Sequence, residues 1–167
     1  MAKERFMEFV GAYVIQSVAD TDASVAFDVP SSETELMALL VHQIDWEGQV
    51  STPVAAVTIG IDGFLTYSAQ IPSSVGGYLT KMDVIDTLQR AVAAGTTLDD
   101  VVAGNYFAAL QHDIHKFDPP ILIARRTLHL HIRSSNSAVV NAVALRLGYT
   151  LEKVSREAFI AALVQSY

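Results

Sequence analysis

Apolar and polar residues alternate along much of this 167-residue chain, in short segments that are separated by turn residues. An alternation with a period of two sends successive side chains to opposite faces of a β-strand. Residues 9–18 and 24–29 are the first two predicted strands, and Pro30-Ser31-Ser32 ends the second. Short strands separated by turns favour a sandwich or a barrel over a fold of alternating strands and helices.

Residues 36–47 carry two conflicting signals. Ser32 followed by Glu35 resembles the capping box at the start of a helix. The segment Ile44-Asp45-Trp46-Glu47, however, alternates like a strand and is followed by Gly48. We predict a strand here.

A hairpin is predicted next in the chain. Residues 50–61 alternate again, and Asp62-Gly63 is a strong signal for a two-residue hairpin turn. Residues 64–71 would then return as the antiparallel partner, and residues 72–77 are predicted to form a loop.

One helix is predicted inside the β-rich pattern, over about residues 81–94. Thr80 is its N-cap, Asp83 occupies the third helical position, and Gly95 supplies the C-terminal stop. Apolar residues recur at helical spacing and form a stripe of Ile85, Leu88 and Val92.

A second helix is predicted at the C-terminus, over about residues 156–166. Ser155 is its N-cap, and Val154 with Phe159 has the spacing of a hydrophobic staple. The staple favours packing of this helix on its own domain rather than on a neighbouring subunit.

The segment between these helices supplies the last strands. Residues 104–116 favour a strand only near their end, and Asp118-Pro119-Pro120 is predicted to break the chain. Residues 121–133 follow as one long strand, and residues 139–151 as another. One face of the long strand carries Leu122, Ala124, Leu128, Leu130 and Ile132, and the other carries Arg125, Thr127, His129, His131 and Arg133.

These elements predict a single domain over residues 1–167 that is mainly β. The fold class is an eight-stranded antiparallel jelly-roll sandwich with one inserted helix and one C-terminal helix, because eight strands in two sheets is the jelly-roll number. A five- or six-stranded α+β domain is the main alternative. The long strand also places Arg126 on the leucine face, where its guanidinium would need an anionic or carbonyl partner.

Composition narrows the classes of partner. Eleven Lys and Arg against eighteen Asp and Glu give a net charge of −7, the wrong sign for a protein that neutralises phosphates, so no direct binding of nucleic acid is expected. Charged residues make up 17% of the chain, below a usual value of about 25%. Such depletion suits a surface that neighbouring subunits cover, although a β-domain decorated with Ser and Thr fits equally. The longest uncharged run, residues 63–80, contains Pro72 and is not a transmembrane segment.

His129-Leu130-His131 is the strongest candidate for metal chemistry. A period of two points both imidazoles in one direction, and the pair superficially resembles the metal motif of cupins. That family places a glutamate shortly afterwards, whereas here Arg133 follows on the same face. We therefore predict no metal site, and a polar surface that faces solvent or another subunit.

Other candidates for chemistry are weaker. His112 and His115 would lie one turn apart if their segment were helical, and His42 within an apolar run is predicted to be a hydrogen-bonded structural residue. No Gly-x-Ser-x-Gly sequence and no phosphate loop occurs, and the absence of cysteine excludes thiol catalysis. We expect no enzyme activity, no catalytic residue and no cofactor.

Three segments resemble single jelly-roll capsid proteins of small icosahedral viruses. Residues 119–137 and 143–150 resemble the last two strands of such proteins, and residues 40–47 resemble an early strand. The resemblance covers roughly a third of the chain as a style of sequence, with no catalytic motif.

The resemblance implies a non-enzymatic shell subunit of a virion, which assembles with copies of itself and possibly with other shell proteins through sheet edges, loops and terminal segments. Many such proteins have a long basic N-terminal arm that binds the genome, whereas here only Lys3 and Arg5 precede the first predicted strand. Genome packaging would then depend on another component or on an intervening membrane. The subunit-contact candidates are Arg125, His129, His131 and Arg133.

Two other functions compete with the shell subunit. A cupin-like metal-dependent enzyme predicts bound metal, and a ligand-binding β-sandwich predicts exposed aromatic residues, although aromatics are only 8% of the chain. Either alternative would be a soluble, cytoplasmic protein.

Overall fold

The structure is a computed structural model that describes residues 6–49, 59–71, 84–92, 111–135 and 140–164. Within these ranges the chain forms eight strands and one helix. They are β1 (Glu8–Ile15), β2 (Ala23–Asp28), β3 (Met37–Gln49), β4 (Ile59–Thr66), β5 (Val84–Val92), β6 (Gln111–Ile123), β7 (Thr127–Ser135), β8 (Ala142–Lys153) and α1 (Arg156–Val164).

The strands form two four-stranded antiparallel sheets. The first sheet has the order β1-β8-β3-β6, and the second has the order β2-β7-β4-β5. Strand pairs are nested, since β1 pairs with β8, β2 with β7, β3 with β6 and β4 with β5. The described chain therefore doubles back on itself as a series of nested antiparallel pairs divided between two sheets. The predicted mainly-β fold, with eight strands in a sandwich, is confirmed.

The core lies between the sheets and is built from alternate residues of each strand. On β7 the predicted apolar face is confirmed, because Leu128, Leu130 and Ile132 are fully buried. On β8 the same alternation buries Val143 and Leu147. Each such side chain contributes roughly 1.5–3 kcal/mol of burial free energy before conformational entropy is deducted.

The predicted hairpin turn at Asp62-Gly63 is wrong, because both residues lie inside β4. Gly63 pairs with Leu88 on one side and with Ile132 on the other. A Cβ atom at Gly63 would stand 3.1 Å from Cζ3 of Trp46, whose indole is fully buried. The glycine therefore makes room for the tryptophan in a central strand, which is a packing role and not a turn.

The predicted helix over residues 81–94 is also wrong, because Val84–Val92 is strand β5. Its residues pair with β4 from Ile59↔Val92 to Thr66↔Val84. Leu88, a member of the predicted helical stripe, is instead buried in the core between the sheets. Pairing with a distant strand overrides the local helical signal here. Thr80, Asp83 and Gly95 lie outside the described residues.

Strand β3 confirms the strand predicted for residues 36–47. The Ser32 hydroxyl accepts a hydrogen bond from the Glu35 amide at 3.3 Å, as in a capping box, but this contact closes a turn before the strand. Residues 50–58 of the first predicted hairpin strand, the predicted loop over residues 72–77 and the segment 104–110 lie outside the described residues. Residues 111–116 do form part of β6.

The predicted break at Asp118-Pro119-Pro120 is wrong, because these residues lie within β6. Strand β6 is an edge strand of the first sheet, and its register against β3 shifts at this point: Val41 pairs with Ile121, whereas Gln43 pairs with Lys116. Prolines are tolerated at edges and bulges, where no ladder hydrogen bond is required of them.

The long strand predicted over residues 121–133 is two strands, since β6 ends at Ile123 and β7 begins at Thr127. The intervening residues carry the chain from the first sheet to the second. Arg126 accordingly does not share the leucine face. Its side chain is 76% exposed and lies 3.3 Å from the Asp28 carboxylate.

The C-terminal helix is confirmed as α1. The Ser155 hydroxyl accepts a hydrogen bond from the Ala158 amide at 3.2 Å, as an N-cap does. Phe159 is buried in a small cluster with Ala38 and Ala124, and Val154 packs against the same cluster. The helix thus docks on its own domain. No helix in the described part of the chain is long and apolar enough to cross a membrane.

Candidate subunit interface

The four predicted contact residues lie on or beside β7, but they bind their own chain. His131 is fully buried, although we expected it on an open polar surface. Its Nε2 atom lies 2.9 Å from the Thr66 hydroxyl and 3.0 Å from the Ser68 carbonyl oxygen. His131 therefore fixes the end of β4 and is not presented to a partner.

Arg125 lies against Tyr67. Its Nη1 donates a hydrogen bond to the Tyr67 carbonyl oxygen at 3.2 Å, and its guanidinium carbon lies 5.9 Å from the centre of the tyrosine ring. Burial raises the pKa of the Tyr67 phenol to about 12, and the nearby Arg125 cation opposes this rise. The pair holds the chain that leaves β4 against the chain that enters β7.

His129 and Arg133 complete the predicted group. The rings of His129 and His131 stack with their centroids 6.0 Å apart, and partial burial together with the Arg125 cation lowers the pKa of His129. Arg133 forms a two-pronged ion pair with Asp22, at 3.0 and 2.8 Å. Each residue thus has a structural contact within the chain.

Neither histidine pair forms a metal centre in the described ranges. Nowhere in them do three or more His, Asp or Glu side chains stand where they could hold a metal ion. His112 and His115 lie on strand β6, not on a helix. They pair with Glu47 and Ile44 respectively, and their spacing of three sends them to opposite faces of the sheet.

The His115 imidazole and the Trp46 indole share one partner. Asp86 Oδ2 accepts a hydrogen bond from Trp46 Nε1 at 2.7 Å and lies 2.7 Å from His115 Nδ1. Asp86 belongs to the second sheet, whereas the other two residues belong to the first. This polar contact joins the sheets at their β5 and β6 edges. His42, as predicted, is hydrogen-bonded, to the Thr150 hydroxyl at 2.9 Å.

An exposed apolar surface lies on β1. This strand is an edge of the first sheet, where it pairs with β8 alone among the described strands. Its outward-facing large side chains are exposed: Phe9 by 45%, Tyr13 by 56% and Ile15 by 51%. Gly11 lies between them on the same face. We call these four residues the β1 surface.

A charged pair supports the β1 surface. Arg146 lies next to Gly11 in the ladder, and its guanidinium carbon is 4.7 Å from the centre of the Phe9 ring. The same guanidinium donates hydrogen bonds to the buried Asp45 carboxylate at 2.6 and 3.0 Å. The aromatic ring is thus held in place by a cation whose own charge is already paired.

Both faces of β1 are apolar. Val14 is buried on the inner face, where Val10 and Ala12 also pack against the core. A strand with one solvent-exposed face normally alternates apolar and polar residues. The apolar outer face therefore distinguishes β1 from such a strand. The sequence signal is the uninterrupted run over residues 9–15, in which both odd and even positions are apolar. From its sequence this run was predicted only as an ordinary strand, and no contact with a partner was expected of it.

No protein-family model matches the chain, and no curated protein matches it. Two solved structures to which the chain is weakly similar are Bacillus endospore appendages, described as disulfide-linked pili, and Desmodium yellow mottle tymovirus. The first has 10% sequence identity and a TM-score of 0.34, with 91% of this chain and 95% of that chain covered. The second has 11% identity and a TM-score of 0.34, with 89% and 91% covered. Likenesses of this size carry no inference about function.

Proposed function

We propose that this chain is the structural subunit of a self-assembling protein shell, built on a jelly roll and located in a virion. The observation that carries the proposal is the β1 surface: three large apolar side chains are exposed together on a strand that has one neighbour, β8, among the described strands. Large contiguous apolar patches are rare on monomeric proteins and mark interaction sites.

The strand order supports the jelly roll. Nested pairing of β1 with β8, β2 with β7, β3 with β6 and β4 with β5 distributes eight strands over two sheets, as expected for that fold. The chain's low content of charged residues, 17%, fits a surface that neighbouring copies cover. Copies of the same chain are the proposed partners, and the net charge of −7 disfavours direct contact with a genome.

A non-enzymatic role fits the contacts of the polar residues. His131 is bound to Thr66 and Ser68, Arg133 is bound to Asp22, and Asp86 joins the two sheets. Each of these groups has a structural contact that accounts for its position. The alternative of a metal-dependent enzyme would require ligands that the described residues do not bring together.

The proposal is tested by light scattering and negative-stain microscopy of the purified protein across several salt concentrations and pH values. We expect closed particles of uniform diameter. A strict monomer under all these conditions would contradict the shell function. Elemental analysis of the same sample separates the alternative, because stoichiometric zinc, iron or manganese would favour a cupin-like enzyme.

A further inference from the structure

We infer that two copies of this chain pair through their β1 strands, antiparallel and about a two-fold axis, so that their first sheets join into one eight-stranded sheet. The inference rests on the proposed function, for which it specifies one contact between subunits. The β1 surface of one copy is thus covered by the β1 surface of a second copy.

The β1 edge has the hydrogen-bonding capacity for such pairing. Its register against β8 is continuous from Glu8↔Tyr149 to Ile15↔Ala142, without a bulge. Since β8 occupies one side only, the backbone groups on the other side of β1 have no strand partner among the described residues. An apolar edge with a regular register is a template for another strand.

The other edge of the same sheet is protected. Strand β6 carries Lys116, Pro119 and Pro120, and its register against β3 is irregular at this point. Charged residues, prolines and bulges are the devices by which proteins prevent edge-to-edge pairing. Strand β1 has no lysine, no proline and no register shift. The contrast between the two edges favours β1 as the one that pairs.

The faces of the sheet restrict the possible registers. Directly opposed residues in an antiparallel pair point to the same face, so two copies of one strand can pair only where the residue numbers sum to an even value. A sum of 24 places Ala12 on the two-fold axis. It sets Phe9 opposite the partner's Ile15, and Val10 opposite the partner's Val14.

This register also keeps the Glu8 carboxylate out of the paired segment. Glu8 falls beyond the partner's Ile15, outside the paired segment, where its carboxylate keeps the hydrogen bond from the Tyr149 hydroxyl at 3.1 Å. A sum of 22 would instead set the Glu8 carboxylate opposite the partner's Val14, which is a buried core residue. Placing a carboxylate there without a partner is unfavourable.

Gly11 makes the surface self-complementary. It leaves a depression on the outer face, lined by Phe9, Tyr13 and Arg146. In the register with a sum of 24, the partner's Tyr13 lies directly opposite Gly11 and covers this depression. An aromatic ring opposite a glycine is a recognised way to shield exposed backbone in a sheet. The two-fold axis provides this contact twice.

Disulfide cross-linking of Ala12→Cys tests the geometry. The native chain has no cysteine, so the new thiol can bond only to the same position in another copy. Opposed residues have Cα atoms about 4.5–5.5 Å apart, within the range of a disulfide. The control is Ile114→Cys, which is 48% exposed and lies on the protected strand β6 of the same sheet. We expect at least about tenfold more covalent dimer from Ala12→Cys, and equal yields would overturn the inference.

A charge on the β1 surface tests the energetics. Tyr13→Lys should weaken dimerisation about tenfold or more, since two tyrosine–glycine contacts are lost and the new cations face a partner's apolar edge. Ile114→Lys is the matched control and should dimerise like the native chain. At a protein concentration too low for dimerisation, melting temperatures of both variants should stay near the native value, because both side chains are exposed on the single chain. Sedimentation velocity measures the association.

The outcomes separate this inference from the shell function. If the Tyr13→Lys variant forms the same particles as the native chain, β1 pairing is overturned and the shell function is unaffected. Cross-linking at Ala12 without any larger particle would support β1 pairing and contradict the shell. A strict monomer that gives no cross-link would contradict both.

Discussion

Trp46 and Asp86 join the two sheets of the sandwich through one hydrogen bond. The indole Nε1 of Trp46, on β3, donates to Asp86 Oδ2, on β5, at 2.7 Å. The residues are 40 positions apart in the chain, and the indole is otherwise surrounded by the apolar core. A buried N–H group requires an acceptor, so the carboxylate allows a tryptophan to occupy the centre of the fold.

Asp86→Ala should destabilise the protein, because it leaves the Trp46 N–H without its acceptor and removes the partner of His115. We expect a loss of about 1–3 kcal/mol in the free energy of unfolding, measured by urea denaturation. Glu33→Ala, which removes an exposed carboxylate in a turn, is the control. Equal stability of the two variants would show that the inter-sheet hydrogen bond contributes nothing measurable.

Gly63→Ala should also be destabilising, for a steric reason. The added methyl group would stand 3.1 Å from both Trp46 Cζ3 and Val143 Cγ1 in a packed interior. Overpacking of this kind costs typically about 1–3 kcal/mol. Gly48→Ala is the matched control, since its methyl group would meet only the end of the Leu88 side chain, at 3.3 Å. Thermal denaturation of both variants should show the larger fall in melting temperature for Gly63→Ala.

Phe159→Ala tests the docking of α1. The ring is buried against Ala38 and Ala124, so its removal leaves a cavity and should cost about 3 kcal/mol or more. Ile160→Ala changes the adjacent residue, which is 48% exposed, and should cost far less. Circular dichroism during urea denaturation measures both. A small, equal effect would mean that the helix contributes little to the fold.

Stability should fall in mild acid partly because of His129. Partial burial and the Arg125 cation lower the pKa of this imidazole below its usual 6.5, so the folded state favours the neutral form. The unfolded chain therefore binds a proton at a higher pH than the folded chain does. The stabilisation is complete above pH 6.5 and decreases as the pH falls from there through the folded pKa.

His129→Gln should remove this part of the pH dependence. Urea denaturation at about pH 7.5 and about pH 5 is expected to give a smaller difference for the variant than for the native chain. His112→Gln, which removes an exposed imidazole on β6, controls for the loss of one histidine. If His129→Gln retains the full native difference, the acid sensitivity comes from other groups.

The sequence by itself determined most of the local structure. Period-two alternation identified β1, β2, β3 and β8, because the face on which a side chain lies depends only on its position in the strand. It detected β7 only as part of one long strand over residues 121–133, which the structure divides in two. The alternation placed Leu128, Leu130 and Ile132 on the buried face of β7, but it placed the fully buried His131 on an open polar face. The helix α1 was also predicted, since its N-cap and staple are contacts between residues close in sequence.

The tertiary structure decided the elements whose local signals were misleading. Asp62-Gly63 has the sequence of a turn, but Trp46 from another strand occupies the space above the glycine. Residues 84–92 have an apolar stripe at helical spacing, but they form strand β5 because their backbone pairs with β4. In both cases the deciding partner lies far along the chain, so no local pattern could reveal it.

The location of the candidate interface likewise depends on contacts between residues far apart in the chain. The sequence predicted a polar face of His129, His131 and Arg133. It also contains the apolar run over residues 9–15, but no contact with a partner was predicted from that run. Only the order of the described strands shows that β1 lies at an edge with β8 as its one neighbour there, and only the packing shows that Thr66 and Ser68 bind His131. Exposure depends on what covers a side chain, and strands distant in sequence supply that cover.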